Sequence, residues 1–251
     1  NLGNVFKRHK KIDDAIKNHQ NAIEINPNFP EAYNNLGNIY KDLGKFKIAI
    51  KNYKKALEIN QDFAEAFYNL GTVQQKLRLL EDSIVSFNNA IKINTNFIKA
   101  HNSLGSSLNL LGHHFDAMDS CKMALSINPD YAEAYNIIGN IYKDLGQLDV
   151  AIKCYEKALT IKPDYIEAHN NRLFTFNYLT NYDAELNLTE ARKLGTLLNR
   201  KVTFRYPCFQ GSNEPSRLRI GFVSGDFRMH AVGYFWENIL SQLTQSKVEL
   251  V

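Results

Sequence analysis

Gly3, Gly37, Gly71, Gly105 and Gly139 recur at a constant interval of 34 residues. A fixed interval of this size means an array of stacked supersecondary units, because no unit of that length buries its apolar face alone. Other positions keep the same register. Twelve residues after each glycine stand Ala15, Ala49, Ser83, Ala117 and Ala151, and nineteen after it Ala22, Ala56, Ala90, Ala124 and Ala158. Three after it come Phe6, Tyr40, Gln74, Leu108 and Tyr142, and twenty-four after it Pro27, Gln61, Thr95, Pro129 and Pro163. Small residues therefore fall where two helices touch, bulky ones fall between them, and a breaker closes each unit.

This pattern resembles the tetratricopeptide (TPR) repeat, a hairpin of helices A and B. Glycine and alanine let the two axes approach, since a larger side chain would separate them. Gly44, Gly112 and Gly146 are expected to turn helix A into helix B. Asn28, Asp62, Asn96, Asp130 and Asp164 are expected to cap each helix A, with Glu31, Glu65, Glu133 and Glu167 completing a capping box that Lys99 breaks. Cys121 takes a place held elsewhere by Tyr or Phe, so it belongs to the core. The pattern fails in the sixth unit, where Arg172-Leu173 replaces Leu-Gly and Ala184 arrives one residue early. The expected fold is mainly α. A right-handed TPR solenoid occupies 1–165, with its first unit truncated, and a capping helical pair occupies 166–199. An incomplete α/β segment resembling a GT-B domain follows at 218–251.

Composition narrows the class. Hydrophobic residues at 44% and charged residues at 22% suit a folded chain, and a net charge of +4 is mild. Lys47, Lys51, Lys54 and Lys55 read as a solvated helix face, so no nucleic-acid partner is expected. No apolar run reaches bilayer length and no signal peptide is visible, so a cytoplasmic protein without a membrane partner is expected. With no initiator Met and residue 1 inside a repeat, the chain reads as a piece of a longer one. Cys121, Cys154 and Cys208 lie far apart without CxxC, so neither a disulfide framework nor a metal site is expected. His9, His19, His113 and His114 show no carboxylate or Cys at ligand spacing. Asn187-Leu188-Thr189 matches a glycosylation sequon in a chain with no sign of secretion.

Helix A lines the concave side of such a stack, and residues four apart share a face. Asn34, Asn35 and Asn38 point together, and the array repeats them as Asn69 and Thr72, Asn102 and Ser106, Asn136 and Asn140, and Asn170 and Asn171. Amides both donate and accept. The expectation is a ladder that grips the backbone of an extended peptide, interrupted at Ile137. The alternative is that these amides bond water or each other. A clamp for C-terminal carboxylates would need paired cations along the groove. Lys41 and Lys143 follow Asn38 and Asn140, but none stands at Asn34 or Asn136.

After residue 200 the character changes. Pro207, Gly211 and Pro215 mark a linker over 200–217. Leu218–Val223 reads as a buried strand, 224–231 as a loop, Val232–Thr244 as a helix and Val248–Val251 as a second apolar run. Strand, helix and strand imply a parallel βαβ unit. Asp226, Arg228 and His230 fall in the loop beyond the first strand, where ligands collect in such sheets. There is no GxGxxG.

The stretch from Arg217 to Phe235, RLRIGFVSGDFRMHAVGYF, resembles the opening of the catalytic region in the O-linked N-acetylglucosamine transferase family, with its SPINDLY-type and bacterial relatives. The junction Ala168–Leu179 is similar to the one found there. The resemblance implies a TPR-linked protein O-glycosyltransferase. It would move a sugar from a nucleotide-sugar donor such as UDP-GlcNAc to protein Ser/Thr, with the groove holding the acceptor protein and no cofactor needed. It also implies that His230 orients groups or exchanges a proton near the donor–acceptor pocket. Ala231 stands where the family has Pro. The donor lobe would lie beyond this chain, which by itself would be inactive. The alternative function is a non-enzymatic TPR scaffold for protein–protein interaction.

Overall fold

The computed structural model describes residues 2–179, 184–201, 218–220 and 248–250. These fall in two units, 1–201 and 202–251.

The first unit is helical. α1 spans Leu2–Ile25, and four helical hairpins follow: α2 (Pro30–Asp42) with α3 (Phe46–Ile59), α4 (Ala64–Lys76) with α5 (Leu80–Ile93), α6 (Ile98–Leu110) with α7 (His114–Ile127), and α8 (Ala132–Asp144) with α9 (Leu148–Ile161). α10 (Ile166–Phe176) and α11 (Ala184–Lys201) close the unit. Successive helices pack on one another, so the core is a chain of small clusters rather than one centre.

The glycine rule has a direct steric origin. A Cβ on Gly37 would lie 2.5 Å from the Tyr53 ring, and one on Gly139 would lie 2.4 Å from the Tyr155 ring. Gly71 meets Phe87 and Gly105 meets Cys121 Sγ at 2.7 Å. The ring of helix B therefore fills the notch left in helix A. Cys121 is fully buried, as its register requires, and burial pushes its thiol pKa up to about 12.

The turns follow the same logic. Gly44, Gly112 and Gly146 have φ of 70°, 81° and 75°, the left-handed region that glycine enters without steric cost. At the equivalent place in the third unit Arg78 adopts φ 63°, which costs a non-glycine residue roughly 1–2 kcal/mol. In the first unit Lys10 stands there and no turn forms. α1 runs through as one helix, where the repeat pattern predicted a hairpin.

The caps are not where the sequence put them. The helix A starts are preceded by Phe29, Phe63, Phe97, Tyr131 and Tyr165, none with a side-chain cap bond. Asn28, Asp62, Asn96 and Asp130 instead donate their backbone N–H to Oδ1 of Asn26, Asn60, Asn94 and Asn128, at 3.0–3.1 Å. A second asparagine series thus makes Asx turns that end helix B. Glu31, Glu65, Glu133 and Glu167 lie in first turns, where a carboxylate suits the helix dipole without any capping box.

The terminal pair shows why its sequence departs from the repeat. Arg172 occupies the place of Leu36, Leu70, Leu104 and Ile138 and pairs with Glu190 of α11, while its Nη1 lies 3.9 Å from Glu156 of α9. Arg172 and Glu190 side chains are only 13% and 10% exposed. Burial pushes the Glu190 carboxyl up, but Lys193, Arg172 and His169 outweigh it and hold it below the ordinary carboxylate range. An ion cluster thus replaces a leucine contact where the cap docks. α11 runs on through Lys201, past the 199 boundary expected for the cap.

The second unit is described at two strands, β1 (Leu218–Ile220) and β2 (Val248–Leu250), which pair in parallel with Leu218 opposite Val248. Both fall in the predicted apolar runs. The expected linker from 202 on, the helix Val232–Thr244 and the rest of the GT-B-like segment lie outside the described residues.

Candidate functional site

The helix A residues that face the stack divide into two sets. One set is engaged within the protein. Asn69 Nδ2 donates to Asn34 Oδ1 at 3.0 Å, and Asn171 Nδ2 donates to Asn136 Oδ1 at 3.0 Å. Each bond joins one repeat to the next with a separation of 35 residues. Asn34, Asn69 and Asn136 are buried. The expectation that these three amides are free to grip a guest is therefore corrected, and they act as rungs between repeats. Asn38 and Asn140 accept from the hydroxyls of Tyr53 and Tyr155 at 2.9 and 2.8 Å, and so link helix A to helix B. Burial pushes both phenol pKa values well up, so they donate as neutral hydroxyls.

The second set is open. Asn35 and Asn170 are exposed, and Thr72, Asn102 and Ser106 are half-buried; Asn38, Asn140 and Asn171 of the engaged set are also only half-buried, so part of each amide stays open. Thr72 Oγ1 donates to the Tyr68 carbonyl at 2.9 Å.

Two junctions lack a rung. In register, Tyr68 and Ser103 face each other at one, and Asn102 and Ile137 at the other. At the latter the donor is missing, and Asn102 Oδ1 is buried without a partner. At the former Tyr68 turns to aromatic company, with ring centroids 5.0 Å from Phe97 and 5.9 Å from Phe87. Beside it opens a cavity of about 820 Å³, to which α2 contributes Asn38 and Lys41, α4 contributes Glu65 and Asn69, and the start of α6 contributes Lys99. One continuous opening thus borders three successive A helices.

The same central repeats carry a buried polar seam. Ser83 and Ser107 hydroxyls meet at 2.8 Å, Gln75 Nε2 donates to Ser107 at 2.9 Å, and Ser86 donates to Gln74 Oε1 at 2.6 Å. In register, alanine holds the place of Ser83 in neighbouring units, isoleucine or valine that of Ser107, and tyrosine or leucine that of Gln74.

Histidines are mostly structural. His101 and His169 Nε2–H donate to the Thr95 and Pro163 carbonyls, both at 2.9 Å, and fasten helix A to the loop before it. His114 donates to Asn109 at 2.8 Å. His113 lies 3.8 Å from Asp116, so it does have a carboxylate neighbour, in an exposed i, i+3 pair. Among the described residues no group of three or more His, Cys, Asp or Glu could hold a metal, and no helix is long and apolar enough to cross a membrane. His230, Asp226 and Arg228 lie outside the described residues.

The sequence family described as TPR repeat matches residues 3–44, 37–77 and 139–172, and that described as Tetratricopeptide repeat matches 64–97. The chain is a tetratricopeptide-repeat protein. No curated protein sequence matches it. Among solved structures it is similar to a MamA protein, 27% identical with a TM-score of 0.57, over 71% of this chain and 98% of that one. It is also similar to YrrB, 23% identical with a TM-score of 0.53 over 73% and 93%. A further likeness is to TTC0263, a thermophilic TPR protein in Thermus thermophilus, 23% identical with a TM-score of 0.55 over 70% and 96%. The last two, at their identity, speak for the TPR fold alone.

Proposed function

We propose that this TPR chain is a protein-interaction scaffold whose helix A face holds an extended peptide segment of a partner protein. The observation that carries the reading is the open cavity bordered by three successive A helices, with exposed or half-exposed amides and hydroxyls continuing beyond it at Asn35, Ser106, Asn140 and Asn170. Such groups satisfy a guest backbone without regard to its side chains. YrrB, which shares the fold, is described as a TPR protein with an unusual peptide-binding site. The test is anisotropy of labelled extended peptides against Asn35→Ala combined with Asn170→Ala. Both side chains are exposed, so their loss leaves the fold intact, and affinity should fall. Unchanged affinity would remove these amides from the groove.

A second reading makes the chain the N-terminal part of a TPR-linked protein O-glycosyltransferase. It is favoured by the Arg217–Phe235 resemblance and by the parallel pairing of 218–220 with 248–250, the minimum a βαβ unit needs. The guest would then be the acceptor protein, the co-substrate a nucleotide sugar, and His230 a group at the reacting pocket. The chain alone would be inactive, and the longer parent would consume a nucleotide sugar at a rate that His230→Ala lowers. Turnover by residues 1–251 alone, or a parent indifferent to nucleotide sugars, would refute it.

A further inference from the structure

Two departures from the repeat pattern converge on one place. At the fifth position of helix A the units carry Asn34, Tyr68, Asn102, Asn136 and Asn170, so Tyr68 is the exception. At the second position they carry Glu31, Glu65, Lys99, Glu133 and Glu167, so Lys99 is the exception. The two belong to different units, yet both line the 820 Å³ cavity, with Phe63 and Phe97 beside them.

Each exception removes something the other units have. Tyr68 gives up the amide of the rung and forms a tilted ring pair with Phe97. Both rings are half-buried, so aromatic surface remains for a guest. Lys99 stands in the first turn of α6, where a cation opposes the helix dipole and where the other A helices place a carboxylate. It is exposed and makes no ion pair with any described residue. The charged lining is Lys41 and Lys99 against Asp42 and Glu65. With glutamate at 99, as the pattern would have it, three carboxylates would face one lysine and repel an anionic guest. With Lys99 the charges balance, and the free ammonium stands next to the rings.

Resting on the groove reading above, we propose that the Tyr68–Phe97–Lys99 cluster is a side-chain-selective subsite in an otherwise sequence-tolerant groove. Its occupant is an aromatic residue followed by an acidic one, inside an extended segment of the partner. The ring of the guest stacks on Tyr68 and Phe97, and its neighbour's carboxylate meets Lys99. The acid is an internal side chain rather than a chain end, because exposed amides stand at Asn35 before the cavity and at Asn170 after it.

The experiment uses residues 1–251 and four labelled peptides. The first is a plain Ser/Gly/Asn peptide with a blocked terminus. The second carries Phe-Asp at its centre, the third Phe-Lys there, and the fourth ends in Phe with a free carboxylate. The Phe-Asp peptide should bind about tenfold tighter than the plain one, the scale of one aromatic contact with a charge contact added. Tyr68→Asn and Lys99→Glu each install the residue that neighbouring repeats carry, so both should fold, which a thermal melt verifies. Each should bring Phe-Asp down to the plain peptide's affinity and leave the plain peptide unchanged. Preference for Phe-Lys, preference for the free terminus alone, or a Phe-Asp preference that survives Lys99→Glu overturns the subsite. Equal binding of all four removes the subsite and leaves the groove, whereas binding of none removes both.

Discussion

The outer repeats, 30–63 and 132–165, and the central ones, 64–131, obey one steric rule but differ in how they use polar groups. In the outer pair a tyrosine of helix B fills the glycine notch and its hydroxyl is tied to Asn38 or Asn140. In the central pair Phe87 and Cys121 fill the notch without a hydroxyl, and Thr72 and Ser106 replace the asparagine. Rungs join repeats at 34–69 and 136–171, while Tyr68, Ser103, Asn102 and Ile137 break them in between. The stack requires the notch in each of these units. The rungs and tyrosine tethers are not kept in every unit: the central repeats carry the Ser83–Ser107–Gln75 seam instead, and the cavity borders one junction with a rung and one without.

The sharpest way to break this comparison is to fill the notch. Gly139→Ala places a methyl 2.4 Å from a fully buried ring whose hydroxyl is tied to Asn140 and should cost about 3 kcal/mol in urea unfolding. Gly105→Ala meets the smaller Cys121 Sγ at 2.7 Å and should cost less, about 1–2 kcal/mol. Equal losses would mean that the central repeats are packed as rigidly as the outer ones.

At the C-terminal end, Arg172→Met takes from the little-exposed Glu190 one of its two cations, leaving Lys193 Nζ at 2.8 Å, and should cost about 2 kcal/mol. Glu190 has its carboxyl pKa held down, so its contribution is fully present above the unfolded carboxylate pKa and is lost as pH falls through the folded one. The protection of α11 amides, with the intrinsic pH dependence of exchange divided out, should therefore fall in acid in the native chain and show a flatter pH response in Arg172→Met.

The rungs offer a milder contrast. Asn69→Ala leaves Asn34 Oδ1 buried and unpaired and should cost about 1–2 kcal/mol. Asn102→Ala deletes an oxygen that is already unpaired, so thermal melting should hardly move. A comparable loss in both would place a hidden donor at Asn102. A small gain is expected from Arg78→Gly, which relieves a left-handed backbone and should raise stability by about 0.5 kcal/mol.

Much of this was legible in the chain itself. The recurrence from Gly37 to Gly139 identified the stack, the notch and the turns at Gly44, Gly112 and Gly146, because those requirements are steric and local. The burial of Cys121 followed from register alone. The caps were misread because Asn28 and Asn26 are equally good Asx formers two residues apart, and periodicity cannot choose between them. The groove was half legible. Register put Asn34, Asn69 and Asn136 on the inner side, but only coordinates distinguish an amide facing a guest from one facing the next repeat. A step of 35 rather than 34 was the available clue to Asn69 meeting Asn34. Tyr68 and Lys99 read as separate blemishes in two units, since nothing in one dimension shows that they share a cavity.

The rung from Asn69 back to Asn34 has an engineering consequence. Residues 30–63 hold asparagine at both the donating and the accepting position, along with the notch glycine, the tethered tyrosine and the turn glycine. Copied head to tail, that segment would supply each copy's bond from its successor, so the chain contains one brick from which a rod of any length could be built.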